Sequence, residues 1–209
     1  MSRPFDEEFH RLISVANDPQ SPERVAYRCA RFFRDVPLEG KTILEIGAGN
    51  GILSAYALLK GAHRVVALEP EAAGSTAGVS GLVQHLTLEV GPERFTYLPH
   101  TLQQYEAGET RFDLILLHDS INHLDEPACE KVQCSREAWN TYTNLFIKIA
   151  DMLTPGGQIV LCDCSRRNVF GVFHLRSPIV PFIEWHKHQP PGLWAKLLRN
   201  VGQTVQRVD

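Results

Sequence analysis

The chain has 209 residues, a formal net charge of −3 and 44% hydrophobic side chains, enough to bury a sizeable core without metals or disulfides. The mild acidity and the lack of any Lys/Arg-rich block argue against a nucleic-acid partner, which would call for a basic stripe. No apolar run reaches the ~18 residues of a membrane span, and Met1-Ser2-Arg3-Pro4 leads into acids rather than a signal-peptide core, so a cytoplasmic protein with no membrane partner is expected. The five cysteines are an odd number in a chain that does not look like a secreted disulfide framework. Cys129 and Cys134, and Cys162 and Cys164, lack C-x-x-C spacing, so they read as free thiols and no metal is expected.

In chain order, Asp6 to Ala16 and Pro22 to Phe33 read as two helices. The second has Ser21 as N-cap and Pro22 at its first position, with Val25, Cys29, Phe32 and Phe33 as an apolar stripe that covers an edge of a sheet. Thr42-Ile43-Leu44 then leads into Glu45-Ile46-Gly47-Ala48-Gly49-Asn50-Gly51 and Ile52 to Leu59, a buried strand, a glycine turn and a helix start. A dinucleotide fold wants its third glycine at position 52, in the pattern G-x-G-x-x-G. Position 52 is Ile, and Gly51 comes one place early. With the carboxylate of Glu45 beside the turn, the expected ligand has cationic character, such as an amino-acid ammonium.

Arg64 to Leu68 reads as a second strand, ending at Glu69 and Pro70. A helix is expected within Glu71 to Glu89, weakened by Gly74, Gly78 and Gly81 at ~1 kcal/mol each in a helix interior. Phe95 to Leu98 is a third strand and Phe112 to Asp119 a fourth. Ser135 to Leu153 carries Trp139, Tyr142, Leu145, Phe146, Ile149 and Leu153 as a helical core stripe, ended by a turn at Pro155-Gly156-Gly157. Gln158 to Cys164 is a fifth strand. Ser165 to Pro191 is a long insertion with Phe170, Phe173, Phe182 and Trp185, assigned to the acceptor side. Leu193 to Val201 is a helix, and Gln203 to Val208 a last strand.

This ordered set, from about residue 40 to 209, resembles the class I S-adenosylmethionine-dependent methyltransferases, whose first motif is an acid-x-Gly-x-Gly-x-Gly turn. The resemblance implies an α/β fold, a Rossmann-like doubly wound and mostly parallel sheet of strand order 3-2-1-4-5-(7)-6, with N-terminal helices. The seventh strand is missing from the chain; an open sheet position invites a neighbouring chain, so a homodimer is one expectation. A single methyltransferase domain over 1–209 follows, with a helical cap at 1–38, a cofactor-binding core at 40–164, the insertion at 165–191 and the last helix and strand at 192–209. The implied cofactor, S-adenosylmethionine, would lie on Glu45, Gly47, Ala48, Gly49, Asn50 and Gly51. Glu69, followed by Pro70, would accept hydrogen bonds from both ribose hydroxyls. Many members place an Asp against the adenine amino group; no acid occurs in Pro99 to Gln103, so backbone groups of Thr101 and Leu102, with Gln103, take that role. His118 and Asp119 are expected on the cofactor side, and the N-terminal helices as a lid, with Tyr27 a candidate wall.

Methyl transfer is an in-line displacement in which the protein aligns the nucleophile and, for a hydroxyl acceptor, removes a proton. Histidine suits that role, and His123 and His186 are the candidates. His186 and His188 could be a pair of bases, a metal pair or solvated loop residues. The place after strand four reads Asp119-Ser120-Ile121-Asn122, without the Asn/Asp-Pro-Pro-aromatic motif that holds a flipped base, and the paired glutamates of arginine methyltransferases are not evident. Elimination leaves a small-molecule acceptor, methylated on oxygen. The alternatives are an S-adenosylmethionine-binding protein without transfer activity, as sensor or assembly partner, and a protein or nucleic-acid methyltransferase.

Overall fold

Ile43, Leu44 and Ile46 on one strand and Val65, Val66 and Leu68 on the next are buried on both faces, the pattern of central strands in a parallel sheet covered on each side. In the computed structural model, which describes residues 5–16, 20–70, 81–173, 175 and 183–208, these are β1 (Thr42–Ile46) and β2 (Arg64–Leu68). With β3 (Phe95–Leu98), β4 (Phe112–His118) and β5 (Leu153–Cys162) they form a five-stranded sheet of order β3-β2-β1-β4-β5. The sheet is parallel, with Glu45 opposite Ala67 and Ile46 opposite Leu68 in the β1–β2 register. The chain divides into two compact units, Met1–Leu116 with Leu153–Val160, and Leu117–Met152 with Leu161–Asp209.

In the first unit α1 (Phe5–Ala16) packs against α2 (Pro22–Phe32), α3 (Ile52–Leu59) and α4 (Gly81–Val90). The joint is aromatic: Tyr56 of α3 stacks on Phe33 with centroids 5.5 Å apart and meets Phe9 edge-on at 5.4 Å, arrangements that add to plain area burial. The N-terminal helices therefore anchor the helix that follows the glycine turn. Tyr27 is 73% exposed. Ser21 stands at the N-cap of α2 with Pro22 behind it but makes no side-chain cap hydrogen bond. At the foot of the sheet Asp113 accepts from the Thr42 amide at 2.9 Å and from Thr154 Oγ1 at 3.3 Å, so this carboxylate is structural.

In the second unit α5 (Glu126–Lys131) is capped by Asp125, whose Oδ1 accepts from the Ala128 amide at 2.9 Å. Ser135 caps α6 (Arg136–Asp151) through the Ala138 amide at 3.3 Å. Of the expected stripe, Tyr142, Leu145, Phe146 and Ile149 are buried and Trp139 is half-buried; Trp194 of α8 (Pro191–Asn200) lies 5.2 Å from the Tyr142 ring. The short α7 (Val169–Val172) and a 3-10 turn at Trp185–Lys187 occupy the insertion.

Three expectations are corrected. Residues 203–208 form no strand: Val205 and Val208 are too few apolar side chains, among Gln203, Thr204, Gln206 and Arg207, to bury a face and fix a register. The turn expected at Pro155-Gly156-Gly157 lies inside β5, because Gly156 takes φ +80 and Gly157 has no room for a Cβ, with Phe112 O at 2.9 Å; a left-handed glycine kinks a strand without ending it. Leu153, expected at the end of the α6 stripe, instead opens β5; the described part of the helix before β3 is Gly81–Val90. Residues 71–80, with Gly74 and Gly78, and Phe182 lie outside the described residues. Among the described residues no helix is long and apolar enough to cross a membrane.

Candidate functional site

The glycine turn is tied to the end of β2 by its own backbone. The Gly47 and Ala48 amides both donate to Leu68 O, at 2.8 and 2.9 Å, and the Gly51 amide to Ala48 O at 2.9 Å. Gly47, Gly49 and Gly51 take φ of +75, +54 and +82, left-handed values that only glycine adopts without strain. A Cβ on Gly51 would also stand 3.0 Å from Val83 Cγ2 of α4. The turn is therefore closely packed from behind, and α3 starts directly from it, with the Ala55 amide donating to Gly51 O at 2.9 Å.

Two buried acids flank the turn. Glu69, 7% exposed, accepts the Gly49 amide on Oε2 at 2.8 Å. Glu45, 2% exposed, accepts from Ser54 Oγ at 2.5 Å. Burial pushes the Glu45 carboxyl up to about 8; the Ser54 hydrogen bond opposes that rise and the nearby charge of Glu69 adds to it. The turn lies between a carboxylic acid that is neutral in mildly acidic solution and a carboxylate already oriented by backbone. A ligand bearing an ammonium and a vicinal diol matches both: the ammonium would favour the ionised form of Glu45, and a carboxylate accepts two hydrogen bonds from a diol. S-adenosylmethionine has both groups, so the residues present fit it.

The segment after β3 is organised by local bonds. The Thr101 amide donates to Gln104 Oε1 at 2.9 Å, the Gln104 amide donates to Thr101 Oγ1 at 3.2 Å, and Leu102 is 1% exposed. Leu102 is thus core, and the Thr101 amide is already engaged.

The second unit gathers the histidines. His118 Nδ1 lies 3.2 Å from Asp119 Oδ2, and Asp119 takes φ +50 at the end of β4, where its amide donates to Cys162 O at 2.8 Å. His123, 56% exposed, holds Glu126 Oε1 at 2.6 Å through Nδ1. His186, 57% exposed, lies 3.3 Å from Glu130 through Nε2. Lys187, bonded to Glu126 at 2.9 Å and Glu184 at 2.7 Å, is raised by both, and with His123 it holds Glu126 below the usual carboxylate range.

His188 differs from the other two. Its side chain is 12% exposed, and Nδ1 lies 3.0 Å from Oδ1 of Asp163, whose side chain is 2% exposed. Its loop is stapled in place: Arg166 donates to His188 O at 2.6 Å and His186 O at 3.2 Å, Gln189 to Cys129 O at 2.6 Å, and the Cys129 thiol to Lys187 O at 3.0 Å. Burial pushes that thiol up to about 11, so it is an inert structural group. Two signals in the sequence mark this pair, the acid near the end of the fifth strand and the second histidine of His186-Lys187-His188, but no spacing rule joins them. Among the described residues, no group of three or more His, Cys, Asp or Glu could hold a metal ion.

The chain belongs to the methyltransferase-domain family, whose sequence profile matches residues 20–207, and its fold is that of class I Rossmann-like methyltransferases that use S-adenosylmethionine. It is 30% identical over 154 residues to a ribosomal protein L11 methyltransferase of Idiomarina loihiensis, covering 74% of this chain and 44% of the relative. It is 31% identical over 102 residues to a ubiquinone biosynthesis O-methyltransferase of Hahella chejuensis, covering 48% of this chain and 40% of the relative. The chain thus spans less than half the length of these relatives. Among solved structures, the cyclopropane synthase MmaA2 from Mycobacterium tuberculosis superposes with a TM-score of 0.60 at 16% identity, over 99% of this chain and 73% of that one. The plantazolicin methyltransferase BpumL in complex with S-adenosylhomocysteine gives 0.52 at 14% identity, over 94% and 75%. At these identities the likeness concerns fold.

Proposed function

We propose that this chain is an S-adenosylmethionine-dependent methyltransferase that methylates a hydroxyl of a small molecule. The observation that carries the reading is the Gly49 amide bound to Glu69 Oε2 at 2.8 Å, with buried Glu45 on the other side of the same turn. When bound, the cofactor supplies an electrophilic methyl group on a sulfonium. The backbone of Gly47, Ala48, Gly49, Asn50 and Gly51 admits it closely. Glu45 meets its ammonium, Glu69 its ribose, with Pro70 closing the strand end, and Thr101 and Leu102 border the adenine. His123 and His186 are the proton acceptors that the sequence points to.

Oxygen is favoured as the accepting atom by the recurrence of ubiquinone biosynthesis O-methyltransferases among the relatives, and by the absence of a basic surface composition. The L11 relative supports a second reading, a protein acceptor, because its match covers 74% of this chain. Calorimetry of S-adenosylmethionine and S-adenosylhomocysteine on wild type and Glu69→Ala tests the cofactor site. Micromolar binding that collapses in the variant is expected, and no binding by wild type would end the methyltransferase reading. Radiolabelled methyl transfer to a catechol panel, against transfer to a ribosomal protein fraction, then separates the two acceptor classes.

A further inference from the structure

The described histidines of the second unit fall into two kinds. His123 and His186 are more than half exposed and paired with surface carboxylates, an arrangement worth little energetically and open to solvent. His188 is held by a buried acid directly after β5, at the carboxyl end of a strand, where open α/β sheets bind ligands. Two further atoms mark the place. Asp163 Oδ2 and Trp185 Nε1 are buried and have no hydrogen-bond partner among the described residues, and the Trp185 ring lies 6.3 Å from the His188 ring. Buried orphan polar atoms are rare and call for a missing partner. Here one acceptor and one donor flank an aromatic surface and an imidazole.

We infer that Asp163 and His188 form the proton-accepting site for the acceptor, and that the acceptor is a phenol or enol rather than an aliphatic alcohol. This rests on the methyltransferase reading above. Asp163 Oδ1 accepts a hydrogen bond from Nδ1–H, which fixes the tautomer and leaves the Nε2 lone pair as base; among the described residues Nε2 has no hydrogen-bond partner. The acceptor hydroxyl would give its proton to Nε2, freeing an oxygen pair for the sulfonium methyl that the bound cofactor would supply, with the thioether as leaving group. The resulting imidazolium is balanced by the Asp163 carboxylate and later loses its proton to water. The class of substrate follows from the site: a neutral nitrogen base removes a proton from a phenol or enol far more readily than from an alkanol, and the Trp185 ring beside His188 offers an aromatic surface. Asp163 is a positioning residue; His188 acts on the acceptor.

The charged and titratable groups around His188 are Asp163 beside the ring, Arg166 on its carbonyl, Cys129, Glu126 and Glu130 of the packed α5, and Lys187 next to it; α7 carries none. The test has two readouts on the full chain. Nitrogen-15 histidine spectra, assigned with His188→Gln, should show His188 neutral above its titration as the Nδ1–H tautomer; an Nε2–H tautomer overturns the dyad. With 3,4-dihydroxybenzoate as acceptor, His188→Gln should lower kcat by about 10²–10⁴ while cofactor affinity by calorimetry stays at the wild-type value. Asp163→Asn should lower kcat and move the acidic limb of the pH profile to lower pH, because the imidazolium loses its counter-charge. Wild-type rates in His188→Gln, or a loss confined to His123→Ala or His186→Ala, overturn the base assignment alone. Cofactor binding with no wild-type turnover on the phenol overturns the acceptor class and the base role with it, whereas failure to bind the cofactor is the failure of the methyltransferase reading.

Discussion

Ser54 Oγ lies 2.5 Å from Glu45 Oε2 across the start of α3, and both side chains are buried. The hydroxyl donates to a carboxyl that burial pushes up to about 8, so ionisation of Glu45 couples to anything cationic brought to the turn.

Binding of S-adenosylmethionine near neutral pH should release protons from Glu45. Calorimetry in buffers of different ionisation enthalpy would show it as a buffer-dependent heat that vanishes in Glu45→Gln, with affinity rising as pH climbs toward 8. A heat independent of buffer would mean that the ammonium lies elsewhere.

The same shift sets a stability slope for the free protein. The folded pKa is raised from 4.5 to about 8, so the folded state keeps a proton that the unfolded chain has lost across that window. The stabilising contribution is complete below the lower value and is lost as pH rises through the upper one, at about 1.4 kcal/mol per pH unit. Glu45→Gln should flatten this slope, with a Tm like wild type in acid and higher than wild type in alkali, read by thermal scans across the window.

Gly51→Ala combines two costs, a φ of +82 and a Cβ 3.0 Å from Val83 Cγ2. Gly40→Ala meets the first alone, with φ +70 and nothing within 4 Å. Each loses about 1–2 kcal/mol to left-handed backbone strain, so chemical denaturation should show a larger loss for Gly51→Ala. Cofactor affinity should fall only there, because only that change presses on the turn.

Tyr142 is fully buried and its hydroxyl donates to Ile121 O at 2.9 Å. Tyr142→Phe removes that hydrogen bond and leaves the carbonyl only the long Leu124 amide bond at 3.4 Å, so it should cost about 1 kcal/mol in urea denaturation, with cofactor affinity unchanged.

Asp119 holds φ +50, a conformation that Asp and Asn tolerate better than Ala. Asp119→Asn should keep the wild-type Tm, and Asp119→Ala should lower stability by about 1 kcal/mol. Equal stability of the two would show that the backbone there relaxes.

The glycine turn, β1 to β4, α6 and the positions of Glu45 and Glu69 were all legible in the sequence, because each rests on local rules: period, and the left-handed conformations that glycine supplies. Local rules stop where partners are distant. The strand expected at 203–208 fails because a strand exists only through a neighbour, and polarity along the segment leaves no face to bury. The sequence singles out His123 and His186 among the loop histidines, yet exposure separates both from His188. The Asp163–His188 contact joins residues 25 positions apart, and its geometry depends on Arg166, Gln189 and Cys129 holding the intervening chain. The sequence by itself determined the family fold and the two acids beside the glycine turn, since both are written in local motifs. Tertiary structure alone decided which histidine is shielded from water and braced by a carboxylate, because burial is a property of the folded packing and not of spacing along the chain.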